Sequence, residues 1–191
     1  MNIRYNFIAV IILLLSSCES KEFQFVLPIN EDLDFVIDED DPSFSEIKLL
    51  TWQDVVGDLD IDNDVVIERV DIESIIVKTS NYDPAQTGLQ NMNLTIITAD
   101  NLSTPLFQNQ NFNFSPGQTE IAVTDLAIQG VQKLGEVFKN YLIGINVQPV
   151  TFISSGSGMN GNLPIKFDLN VEINAAVIFS KDLDAPFFMG K

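Results

Sequence analysis

The chain contains no histidine, one cysteine and one tryptophan, and only 10 basic residues against 27 acidic ones in its 191 residues. Without histidine there is no Ser-His-Asp triad, no Cys-His pair and no imidazole metal ligand. A single cysteine excludes an internal disulfide and any Cys-x-x-Cys site. A formal charge of −17 opposes nucleic acid, whose phosphates would be repelled. Long apolar runs are also missing. The longest, Phe7–Leu15, has nine residues, whereas a helix spanning a bilayer needs about 20. What is present is enough apolar material for a core: 46% hydrophobic residues, 14 of them Phe. A chain of this size forms one ordinary domain without a metal or disulfide to hold it.

The short run has another reading. Arg4 precedes it, and Leu15-Ser16-Ser17-Cys18 closes it, which is the layout of a secretory signal. Those four residues resemble the bacterial lipobox, an aliphatic residue and two small residues before cysteine. The resemblance implies a diacylglycerol thioether on Cys18, cleavage before it and acylation of the new amine, hence attachment to a membrane. Glu19, in place of the Asp that often implies inner-membrane retention, points to the outer membrane. The expected organisation is a signal peptide at 1–17, a lipid-anchored tether at 18–22 and a single domain at 23–191. The mature chain then has 27 acids against nine bases, a net −18.

The domain reads as mainly β. In Pro164–Phe179 the odd positions from Ile165 to Phe179 are apolar, with Lys166, Asp168, Asn170, Glu172 and Asn174 between them. Period-two alternation marks a strand with one face on a core and one in water. Its polar face ends at Asn174, so a bend or bulge is expected over Asn174–Ala176. In Val66–Lys78 the apolar parity changes between Ile72 and Ile75, and a bulge would restore the face. Other strands are expected at 22–27, 92–99, 109–114, 120–123 and 141–153, the last joined to the terminal strand by a Gly-rich hairpin loop over 154–162. Ala127, Val131, Leu134 and Phe138 predict a helix over Leu126–Asn140, capped by Asp125. Thr51-Trp52-Gln53-Asp54 has the form of a capping box opening a short helix. The sum is an antiparallel β-sandwich, immunoglobulin-like or similar, with one or two short helices. The order of elements is similar to that of small β-sandwich lipoproteins of Bacteroidota, on Val66–Val77 and Leu163-Pro164-Ile165-Lys166-Phe167; that resemblance implies no activity and no site residues.

Sixteen acids lie between Glu31 and Glu73, with only Lys48 and Arg69 as bases. Within them Asp58, Asp60, Asp62 and Asp64 stand at the first, third, fifth and seventh places of an EF-hand-like loop, where hard oxygens suit Ca²⁺. Arg69 occupies the twelfth place, which needs a bidentate Glu, and a strand follows instead of a helix; a solvated acidic loop is the competing reading. Gly156-Ser157-Gly158-Met159-Asn160-Gly161 matches G-x-G-x-x-G, but a strand follows where a nucleotide site needs a helix. Asn93-Leu94-Thr95 and Asn101-Leu102-Ser103 read as strand and turn, and Trp52 and Phe44 as core. No other cofactor is expected.

These readings converge on a non-enzymatic, lipid-anchored envelope module that binds another envelope protein or a glycan, or holds structure. Two alternatives are a carrier of an apolar ligand between the helix and a sheet, and a glycan hydrolase working through carboxylates alone.

Overall fold

The computed structural model describes residues 21–57, 59, 65–83, 85–114, 120–159 and 164–183. In chain order the elements are β1 (Lys21–Glu39), β2 (Ser43–Leu50), α1 (Trp52–Val56), β3 (Val66–Ser80), β4 (Gly88–Ile97), β5 (Ser103–Asn113), β6 (Glu120–Ala122), α2 (Ile128–Leu142), β7 (Val150–Gly158) and β8 (Ile165–Leu183). They form two four-stranded antiparallel sheets, β1-β8-β3-β6 (sheet A) and β2-β7-β4-β5 (sheet B). The architecture is the antiparallel β-sandwich that the alternation predicts.

β8 is the axis of sheet A. Its inward residues Ile165, Phe167, Leu169, Val171, Ile173, Ala175 and Val177 are all at most 1% exposed. It pairs with β1 along 19 residues without a slip, from Lys21↔Leu183 to Glu39↔Ile165. At ~3.3 Å per residue these strands run about 60 Å.

The bulge expected near Asn174 occurs at that level of the sheet, but on the neighbour. β3 slips between Ile72 and Ser74, opposite Ala175 and Asn174, and again between Ile67 and Arg69. Each slip adds one acidic residue, Glu73 and Glu68, so that Ile67, Val70, Ile72, Ile75 and Val77 all turn to the same face. The parity change in the sequence is thus absorbed by β3, and β8 keeps an unbroken register with β1.

Three expectations are corrected. Residues 141–149 are not strand: α2 runs on through Tyr141 and Leu142, because Tyr141 continues the buried stripe Leu134, Phe138. Gly144 then adopts φ +69° and ends the helical path. Residues 154–158 are strand rather than hairpin loop, and β7 and β8 lie in different sheets, so the connection crosses the sandwich. A Ser/Gly-rich run reads as loop on composition, yet its small side chains suit a central strand: a Cβ on Gly156 would meet the Met92 sulfur at 2.8 Å. Third, α2 begins at Ile128 with Ala127 as a cap that makes no side-chain bond, so Asp125 does not cap it. The Thr51–Asp54 capping box forms as read.

The two sheets are not equal in length. Groove residues Pro28–Asp32 of β1 lie beside Lys48–Leu50 of β2, so sheet B stops where sheet A still has Lys21–Leu27 to run. Over that extension the second layer is α2. Gly135 sits against Val70 and Gly130 against Pro105, where an added Cβ would stand 2.5 Å and 2.0 Å from the respective carbonyl oxygens. The helix therefore packs backbone to backbone on β3 and β5 and closes the sandwich at this end.

Candidate functional site

The outer face of sheet A collects the acids that the sequence concentrates. β1 presents Asn30, Asp32, Asp34, Val36 and Asp38, β8 presents Lys166, Asp168, Asn170, Glu172 and Asn174, and β3 presents Ser74, Lys78 and Ser80. Antiparallel register sets these side chains side by side. Asp38 pairs with Lys166 at 2.5 Å, and Asp34 accepts from Asn170 at 2.9 Å. Asn30 donates to Asn174 at 2.8 Å, which in turn donates to Ser74 and Glu172. Lys78 pairs with Glu172 and stands 3.6 Å from Glu120. The result is a polar ladder across three strands.

Lys78 holds the Glu172 carboxyl below the ordinary glutamate range, helped by the Asn174 amide. The same hydrogen bond raises Lys78. Thr51 lowers Asp54 and Thr98 lowers Asp100. Each of these carboxylates is stabilised as an anion, the opposite of what a general acid needs.

One stretch of the ladder is concave. Asp34, Val36, Lys78, Ser80, Asp168 and Asn170 line an open groove of about 550 Å³. Asn81 donates to Asp168 at its edge, and the buried side-chain oxygen Oδ1 of Asn170 has no hydrogen-bond partner. The sequence pattern places these residues on one polar face; their convergence on a groove depends on pairing with β1 and β3, which alternation alone does not specify.

The other sequence-derived positions fall as follows. Cys18 lies outside the described residues, as do Asp58, Asp60, Asp62 and Asp64. Among the described residues no three His, Cys, Asp or Glu side chains gather in a metal-binding group. Glu68, the acid closest to the missing twelfth ligand, accepts from Gln24 at 3.0 Å, and Arg69 pairs with Asp71 at 2.9 Å. Gly156-Ser157-Gly158 is strand β7. Asn93 is in β4 and Asn101 in the β4–β5 turn with φ +59°.

Phe44 is core, edge-on to Phe167. Trp52 is not: it is 38% exposed, and its indole N–H donates to the Tyr141 carbonyl at 2.7 Å. Tyr141 is buried, and its hydroxyl donates to the Gln148 carbonyl at 2.7 Å with the Leu50 carbonyl at 3.2 Å. Burial pushes the Tyr141 phenol upward. These bonds tie α1, the end of β2, the end of α2 and the start of β7 into one corner.

The seam between α2 and the sheets is tight at both glycines. The groove beside it is bordered by Glu68, Arg69, Gln132, Glu136 and Lys139 and is open to solvent. A space of about 20 Å³ near Tyr141 is the size of one water.

No protein-family model and no curated protein matches the sequence. Among solved structures, the decameric BFDV capsid protein is similar at 9% identity and a TM-score of 0.36, over 81% of this chain and 99% of that one. Turnip yellow mosaic virus aligns at 11% identity and a TM-score of 0.34, over 87% and 98%. Infectious bursal disease virus, Gx strain, aligns at 10% and 0.30, over 87% of this chain and 37% of that one. At such scores the likenesses carry no inference. The class of this protein, a two-sheet antiparallel β-sandwich with a helix closing one end, rests on its own strand pairing.

Proposed function

We propose that this chain is a lipid-anchored protein of the cell envelope, held by a diacylglycerol thioether on Cys18, whose sandwich binds or scaffolds and does not catalyse. The observation that carries the reading is the lipobox Leu15-Ser16-Ser17-Cys18 closing a nine-residue apolar run behind Arg4. Two acyl chains or more give stable membrane attachment, since each buried methylene contributes about 0.8 kcal/mol. Anchoring at Cys18 is compatible with the fold, because among the described residues the core draws on Leu27, Ile29 and later residues. Glu19 favours the outer membrane.

The absence of histidine from the sequence removes the usual hydrolytic base and zinc ligand, which supports a binding role. The polar ladder and groove around Asn170 are the surface assigned to the partner, an envelope protein or a glycan, both of which match a face of amides, carboxylates and two lysines. Replacing Cys18 with Ala tests the anchor: the variant leaves the membrane fraction, whereas a variant that survives an alkaline wash in that fraction overturns the reading. An Asp34→Ala/Asn170→Ala variant tests the face by loss of envelope proteins or glycans that the parent chain retains.

A further inference from the structure

The exposed apolar side chains are unevenly placed along the sandwich. At the tip of sheet A, Phe25 is 39% exposed, Val26 66% and Val66 64%. Phe25 stacks on Phe179 at 5.5 Å. Register places these residues in neighbouring rows, Gln24–Ser180–Val66, Phe25–Phe179–Ile67 and Val26–Ile178–Arg69. The adjoining end of sheet B carries Trp52 at 38% and the loop after α2, with Ile143 at 41%, Ile145 at 60% and Val147 at 46%. Tyr141 pins that loop through Gln148, and Trp52 is pinned to Tyr141, so these side chains are held outward by the corner that positions them. Towards the opposite end, with turns at 40–42 and 81–83 and the end of β7, Val36 alone is an exposed large hydrophobic residue among the described residues, at 72% in the row Val36–Asp168–Ser80.

The apolar end is also where the chain meets its proposed anchor. β1 starts at Lys21, and only Glu19 and Ser20 separate it from Cys18. Three residue steps reach at most about 11 Å. A lipid on Cys18 would therefore bring the tip of sheet A to the headgroup layer. Soluble domains rarely gather apolar side chains at one end unless something covers them. A net charge of −18 on the mature chain excludes attraction to anionic headgroups as the driving force, which leaves apolar contact.

We infer that this end of the sandwich lies in the membrane interface, with Trp52, Ile143, Ile145 and Val147 among the headgroups and the polar ladder of sheet A standing clear of the bilayer. The inference rests on the anchored reading above, and its occupant is a bilayer surface of neutral phospholipid.

The test uses two properties of the sequence: Trp52 is the sole tryptophan and Cys18 the sole cysteine. The mature chain is coupled through Cys18 to phosphatidylcholine vesicles carrying a maleimide headgroup lipid, made with or without acyl-chain bromine. Tethering then does not depend on lipidation by the cell. Bromine is expected to quench most of the Trp52 emission. Ile145→Asp/Val147→Asp restores the emission while the protein stays coupled, and Ser43→Asp, at the opposite end beside the end of β7, leaves the quenching unchanged. Equal emission in brominated and plain vesicles overturns the inference, as does a chain that self-associates through this end when free in solution. An unlipidated Cys18 in cells would instead overturn the anchored reading and leave the vesicle result standing.

Discussion

Gly135 of α2 and Val70 of β3 meet backbone to backbone: a Cβ on Gly135 would lie 2.5 Å from the Val70 carbonyl oxygen. In an exposed helix Gly→Ala gains roughly 1 kcal/mol. Here the sign reverses. Gly135→Ala must push the helix off the extension of sheet A, at a cost of roughly 1–3 kcal/mol. A urea unfolding series read by Trp52 emission checks this; a variant as stable as the parent would mean that α2 does not sit on β3.

The Lys78–Glu172 pair sets a pH window. The Glu172 carboxyl is depressed in the folded chain, so its contribution is complete above the ordinary value of 4.5 and is lost as pH falls through the depressed value. Lys78 is raised, so its contribution is complete below the ordinary value of 10.5 and is lost as pH rises through the raised one. Glu172→Gln should therefore lower the urea midpoint at pH 7, and the gap to the parent should close in strong acid. A pH-independent gap would assign the loss to packing.

Tyr141→Phe removes the hydroxyl that donates to Gln148. The expected loss is roughly 0.5–1.5 kcal/mol, the net worth of a part-buried hydrogen bond. The loop at 143–148 and Trp52 share this corner, so hydrogen exchange of that loop should quicken beyond the global change.

At Asp58–Asp64 the sequence lacks the bidentate Glu of a complete calcium loop, since Arg69 stands at the twelfth place. Titration with millimolar Ca²⁺ is expected to give no heat and no rise in melting temperature. A saturable heat lost on Asp60→Asn would restore the ion-binding reading.

Much of this fold was legible because β8 alternates without interruption over its inward residues, and because Ile72 and Ile75 signal a bulge by parity alone. Local composition misled where tertiary packing decides. Ser154–Gly158 reads as loop but fills a central strand that needs small residues against Met92 and Phe44. Tyr141 reads as the start of a strand because β-branched and aromatic residues follow it, yet its place on the helical stripe wins. β1 was foreseen only at its start, since Asp32, Asp34 and Asp38 look like a charged segment until β8 supplies their partners. The groove was hidden for the same reason: its residues come from three strands, and one strand's alternation does not name its neighbours. Trp52 was expected in the core, and no local signal marks that its ring stops at the surface to reach the Tyr141 carbonyl.

The proposed location depends on the lipid on Cys18. Intact mass spectrometry of the chain recovered from cell membranes tests it most directly. The expected mass shows loss of residues 1–17 and a lipid on Cys18, both abolished in Cys18→Ala. A chain with an unmodified Cys18, or one retaining residues 1–17 in the parent, would contradict it.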